Sequence, residues 1–261
     1  MPIIQVSNDD ITTIEEQMNS IVLASDELTK GTSNLSIRKN DFFLKKPLEL
    51  YLAYMESIKQ QIQLMKGYAT SYKGFERLNP QDRAKVFMET RFNLICGEGF
   101  IHQNDFYVAC FNSDHLLKGV EHQYPWILES NTLVERSRHL WKFIQSLNFT
   151  KYEASFYLAF LFFSVFDNPI VLSTLSTEGA KYISEVIEDI KRSHLSYIAQ
   201  HYPKNTSLFE QRMKLMQLAV RLTMEESETR VKTGKRLILP TFNSDDMGTL
   251  YYSVINSKVS E

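Results

Sequence analysis

The chain has 261 residues, with 29 basic and 31 acidic side chains and a formal charge of -2. No Lys/Arg cluster persists long enough to track a phosphate backbone, which argues against direct nucleic-acid binding. Its two cysteines, Cys96 and Cys110, can build neither a disulfide framework nor a pair of four-cysteine zinc fingers.

The length fits one large domain, and no Pro/Gly/Ser-rich stretch divides it, so a single domain over 1–261 with a substantial core is expected. The N-terminal run M-P-I-I-Q-V-S-N-D-D has no basic region followed by a long apolar core, so it does not read as a secretory signal. A reducing intracellular compartment is the expectation, and the N-x-S/T triplets at Asn34, Asn148 and Asn205 are read as chance.

In chain order, helix starts are marked by S/T-x-x-E boxes, in which a hydroxyl and a carboxylate three residues on each satisfy an orphan backbone N–H. Thr13 with Glu16 predicts a first helix, and Lys30 to Lys46, with Gly31, Ser33 and several basic residues, predicts a mobile loop. Apolar residues then step by four and three through Tyr51, Met55, Ile58, Ile62, Met65, Ala69 and Tyr72, the stripe of one long helix. Asn79-Pro80, with Asp82 in the first turn, starts the next.

Phe106 to Phe111, F-Y-V-A-C-F, has strand composition between turns at Asn104-Asp105 and Asn112-Ser113, so a short hairpin is expected there. Thr132 with Glu135, Thr150 with Glu153, and Ser207 with Glu210 open further helices. The apolar run Ala154 to Phe166 falls short of the roughly 20 residues needed to span a bilayer. It predicts a helix buried on all sides, which favours three helical layers over a simple bundle. Tyr182, Val186, Ile190 and Ile198 mark a helix ending near Pro203, and Met213, Met216, Val220 and Met224 line the last long one.

The stretch from Tyr68 to Phe87, Y-A-T-S-Y-K-G-F-E-R-L-N-P-Q-D-R-A-K-V-F, resembles the signature of a nuclear hormone receptor ligand-binding domain. Tyr68-Ala69, Phe75, Leu78, Asp82 and Val86-Phe87 stand at the family spacing, while the family's Lys is Thr70 and its Gln is Arg83. Phe149-Thr150-Lys151-Tyr152-Glu153 is similar to the family's Leu-Thr-x-x-Glu, and Phe166-Asp167-Asn168-Pro169 to its Pro-Asp-x-Pro turn with the first proline missing. Lys181 to His201 resembles the family's helix 9, and Ser207 to about Lys232 its helix 10/11. The likeness is strongest to the divergent nematode-expanded receptors related to the hepatocyte nuclear factor type. The resemblance implies an all-α, three-layer helical sandwich with one short β-hairpin. It also implies a ligand domain without its DNA-binding domain, acting in the nucleus or cytoplasm, independent of membranes and with no cofactor.

It further implies that a small apolar ligand, of fatty-acid or sterol type, biases the position of a final helix that completes a groove for a coregulator's amphipathic helix. Pocket candidates are Met55, Ile58 and Ile62, with Cys96 and Phe106; His102 stands where acid-binding relatives carry an Arg, and offers one hydrogen bond in place of a bidentate clamp. Abundant Phe and Tyr can also fill the cavity.

The coregulator clamp is altered. Leu250-Tyr251-Tyr252-Ser253-Val254-Ile255 has the final-helix pattern with Ser253 replacing Glu, Thr70 replaces the lysine, and Met88 replaces the second basic position. Lys66 and Lys85 lie close enough in sequence to substitute, or are ordinary surface lysines. Dimerisation with another receptor or a second copy is expected through Leu215, Leu218 and Leu222, flanked by acidic and basic blocks.

Two rivals remain. An enzyme is not expected, because D-D-x-x-D, H-E-x-x-H, G-x-S-x-G and a Gly-rich phosphate loop are all missing, and Asp9-Asp10 and Asp245-Asp246 are isolated pairs. A ligand-independent interaction module that sequesters other receptors or coregulators follows from the neutral clamp.

Overall fold

The apolar run after Thr150 becomes the helix around which the others pack. The computed structural model describes residues 8–34, 64–72, 75–102, 131–202 and 206–238. Its principal elements are α1 (Asn8–Asn34), α2 (Pro80–His102), α3 (Asn131–Ser146), α4 (Lys151–Phe163), α5 (Thr177–His201) and α6 (Thr206–Ile238). A helical stretch over 64–70 and a 3-10 turn, Phe75–Arg77, precede α2. A second 3-10 turn, Ser164–Asp167, and a single α-turn, Pro169–Leu172, join α4 to α5. All regular structure among the described residues is helical, which gives the all-α class; the expected hairpin at 106–111 lies outside them.

α4 forms where it does because its first turn caps itself. Thr150 Oγ1 accepts from the Glu153 N–H at 3.2 Å, and Glu153 Oε2 accepts from the Thr150 N–H at 3.0 Å. From Glu153 to Phe163 every side chain except that of Phe160 is buried, as expected of a helix with neighbours on all sides. Those neighbours are α1, α2, α5 and α6. α1 contributes Met18, Ile21, Ala24 and Leu28, an apolar stripe at helical spacing. α2 comes close enough at Gly97 that an added Cβ would strike Leu161 and lie 3.3 Å from Tyr157 Cε1.

The Tyr68–Phe87 stretch packs onto the far end of α4. Tyr68 meets Phe162 edge-on at 5.5 Å, Tyr72 meets Phe163 at 4.8 Å, and Phe87 joins Phe75 to Phe162. Ala69, Leu78 and Val86 are buried with them. Asn79 caps α2, its Oδ1 accepting from the Asp82 N–H at 2.8 Å. The buried Asp82 carboxylate then accepts from Asn79 Nδ2 at 2.7 Å and from the Ser176 N–H at 2.9 Å, and also from the Ser176 hydroxyl. Ser176 is itself the N-cap of α5, so one carboxylate fastens two helix starts 94 residues apart.

That junction depends on a bare backbone at Gly179, where a Cβ would collide with the Asp82 carboxylate and lie 2.8 Å from its Cγ. The carboxylate is held from three directions and cannot step aside. Gly179→Ala is therefore expected to lower the unfolding free energy by about 1–3 kcal/mol, although alanine favours a helix, with urea denaturation as the measurement. A gain in stability would show that the junction is loose.

Several predicted boundaries shift. α1 begins at Asn8, so Thr13 lies inside the helix. It runs on to Asn34 through Gly31, so the first residues of the predicted mobile loop are helical, and the rest of that loop lies outside the described residues. α3 begins at Asn131 and α6 at Thr206, a residue before the hydroxyls expected to cap them. α5 starts at Thr177, ahead of Lys181, because Ser176 Oγ accepts from the Gly179 N–H at 3.1 Å and provides an unpredicted cap. Asn148 takes a left-handed φ of 46° and turns the chain from α3 into the Thr150 cap, a conformation that asparagine tolerates.

Candidate functional site

The described helices enclose one large groove whose walls come from four elements. α2 supplies Met88, Glu89 and Asn93; the end of α4 and the turn after it supply Phe160, Ser164, Val165, Asp167 and Asn168. α5 supplies Lys191, His194 and Leu195, and α6 the stripe Met213, Met216, Val220 and Met224 with Gln217, Arg221, Glu225, Ser227 and Glu228. The volume is about 1030 Å³, enough for a drug-sized ligand. The methionine stripe read from the sequence is thus a groove wall: Met216 and Val220 are buried, and Met213 and Met224 are partly buried against the core.

His194 is the buried polar residue that distinguishes this wall. It is 2% exposed, its ring lies 5.1 Å from that of Phe156 and 5.3 Å from that of Phe160, and its Nε2 meets no hydrogen-bond partner. Burial among these rings pushes the imidazole down to about 4, against the upward pull of Glu153 and with the downward push of Arg212. At neutral pH it is therefore an uncharged ring. Sequence reading did not single it out, although it continues the buried stripe Ile183, Ile187 and Ile190 toward Ile198, and a histidine on such a stripe is the available signal.

Next to it, Glu153 and Arg212 form a buried ion pair between α4 and α6. Arg212 Nη2 lies 2.6 Å from Glu153 Oε2 and Nε 2.8 Å from Oε1, with the two side chains 13% and 1% exposed. Arg212 Nη1 also donates to the Leu147 carbonyl at 2.9 Å, and its guanidinium lies 5.7 Å from the centre of the Phe149 ring. The pairing holds the arginine more firmly protonated than in water, through the hydrogen bond to Glu153 first. The capping box was legible in the sequence and this partner of it was not, because Arg212 is 59 residues away.

The sequence-derived sites are dispersed. Of the pocket candidates, Cys96 is buried on α2 beside Tyr157, whose phenol is pushed up by burial first and by Cys96 to a lesser degree, and whose hydroxyl shares a 2.6 Å hydrogen bond with Thr223 Oγ1. His102 ends α2, but its side chain is outside the described set, as are Met55, Ile58, Ile62 and Phe106. Cys96, the one of these six whose side chain is described, does not line the groove. Of the coregulator residues, Met88 lines it and is 37% exposed. Thr70 is exposed, and its hydroxyl donates to its own helix at the Lys66 and Gly67 carbonyls, at 3.0 and 3.1 Å. Lys85 donates to the Thr174 carbonyl, and Lys66 is half-buried, its ammonium lowered by desolvation and then by Arg83. Leu250, Tyr251, Ser253, Val254 and Ile255 lie outside the described residues. Leu215, Leu218 and Leu222 are half-buried on α6, and Leu215 and Leu222 pack against the core.

No protein-family model and no curated protein matches the chain. Among the described residues, no group of three or more His, Cys, Asp and Glu side chains is placed to hold a metal ion, and no helix is long and apolar enough to cross a membrane.

Proposed function

We propose that the chain is a ligand-binding domain of the nuclear hormone receptor type, in which a small apolar ligand biases dimerisation and coregulator recruitment in the nucleus. The observation that carries this reading is the Tyr68–Phe87 unit. Tyr68, Ala69, Phe75, Leu78, Val86 and Phe87 are buried together, and Asp82 is buried as the tie between two helix starts. Residues set at the family's spacing therefore do the work that such a signature would need, plugging a helix connection and fixing its angle.

Mechanistically, a ligand acts by binding one arrangement of the helices better than another, and can shift the population only by that difference in affinity. The coregulator surface is expected to work weakly. Thr70 offers no charge, its hydroxyl bonding within its own helix, and Lys85 is bound to the Thr174 carbonyl. A standard LxxLL peptide is expected to bind with a Kd above about 1 μM. Submicromolar binding that is lost in Lys66→Ala would show instead that a working clamp has been rebuilt.

The same two contacts favour a second reading, a receptor-like module that pairs with other proteins without a ligand. Native mass spectrometry of the full chain, followed by extraction of any retained small molecule, separates the two. A discrete lipid or sterol mass supports the ligand-binding reading, and a clean ligand-free dimer supports the second.

A further inference from the structure

We propose that the groove between α2, α4, α5 and α6 is a binding site for an apolar small molecule carrying a hydroxyl group, with His194 Nε2 as its hydrogen-bond partner. Cys96, the described residue of the pocket implied by the family resemblance, is not part of its lining, and the proposal stands whether or not the chain is a receptor domain.

Three observations converge on this ligand chemistry. First, the lining is adaptable and apolar. Met88, Met213, Met216 and Met224 face a common space of about 1030 Å³ together with Phe160, Val165, Leu195 and Val220. Methionine's unbranched, polarizable chain moulds to an irregular apolar body at little cost.

Second, a buried polar atom with no partner is unfavourable, and His194 Nε2 is such an atom in a residue that forms part of the groove wall. A ligand group that reaches it recovers that cost on binding. The ring is neutral at physiological pH, so Nε2 is a donor in one tautomer and an acceptor in the other. A hydroxyl can both donate and accept, and so matches either tautomer.

Third, the charges of the lining disfavour an acid. Glu89, Asp167, Glu225 and Glu228 outnumber Lys191 and Arg221. Lys191 is already bound to Asp167 at 3.0 Å and to Glu188 at 3.1 Å, and Arg221 lies 4.0 Å from Glu225. A fatty-acid carboxylate would meet net repulsion from this lining, whereas an alcohol, phenol or sterol does not.

The test compares 1-naphthol with naphthalene, which has the same ring body and no hydroxyl, binding to the full chain by fluorescence titration. Histidine side-chain ¹H–¹⁵N spectra are recorded alongside. Saturable 1-naphthol binding that moves the His194 Nε2 resonance is expected. His194→Phe keeps an aromatic ring against Phe156 and Phe160 and is expected to weaken 1-naphthol by about tenfold, while naphthalene changes by less than about twofold. Leu195→Trp, at a residue 48% exposed on the groove wall, is expected to block both probes without unfolding the chain. The proposal is overturned if neither probe binds, or if His194→Phe leaves 1-naphthol unchanged. It is also overturned if sedimentation shows a dimer that Leu195→Trp dissociates, since a second copy would then occupy the groove.

Discussion

Arg212→Met is expected to lower the unfolding free energy by about 3–5 kcal/mol, because it leaves the Glu153 carboxylate, 1% exposed, without its counter-charge. The loss is compounded at the Leu147 carbonyl, which accepts from Arg212 Nη1 at the turn feeding α4. Against a typical total of about 5–15 kcal/mol, this is enough to populate unfolded chains at physiological temperature. The double replacement Glu153→Leu with Arg212→Met should be less destabilised than Arg212→Met alone, since two apolar side chains of similar volume remove the stranded charge. Urea denaturation of the four variants gives the coupling energy directly. If the single and double variants lose equal amounts, the pair contributes shape and little electrostatics.

Acid should weaken the fold in a window set by His194. The native ring titrates at about 4 against 6.5 for the free side chain, so between those values the unfolded chain binds a proton that the native chain refuses. The stabilising contribution is complete above about pH 6.5, falls as pH is lowered, and is fully lost near pH 4, a difference of about 3 kcal/mol. Burial is the main cause; Glu153 opposes it and Arg212 reinforces it, and Lys191 on the same helix also lines the groove. His194→Phe should be at least as stable as the unsubstituted chain at pH 7, having lost an unpartnered buried nitrogen, and should show a shallower decline between pH 6.5 and 4. Denaturation midpoints measured across that range in both proteins decide it. Parallel declines would mean that His194 is hydrated in solution and that the carboxylates alone set the acid limit.

Local signals within one helical turn hold at α2 and α4, while Thr13, Thr132 and Ser207 lie inside their helices. The Thr150–Glu153 box, the Asn79-Pro80 start and the buried run after Ala154 all appear as expected. Misreadings arose where two nearby residues could serve the same purpose. Thr13 resembled a cap, but α1 already begins at Asn8, and Ser176 caps α5 without the Glu at its third position that would have announced it. The methionine stripe of α6 was visible from its period, but whether such a stripe faces core or groove depends on what is packed opposite it. The coregulator residues show the same limit. Thr70 was recognised as neutral from the sequence, yet that its hydroxyl is bonded within its own helix is a matter of backbone geometry.

The sequence by itself determined the all-α class of the described residues, the starts of α2 and α4 and the buried centre, because capping chemistry and apolar period act over a few residues of one chain segment. Only the tertiary structure decided that Asp82 ties α2 to α5, that Arg212 neutralises Glu153, and that His194 is buried beside a methionine-lined groove. Each of these pairs residues from different helices, and the desolvation that gives them their energies exists only once those helices are packed together.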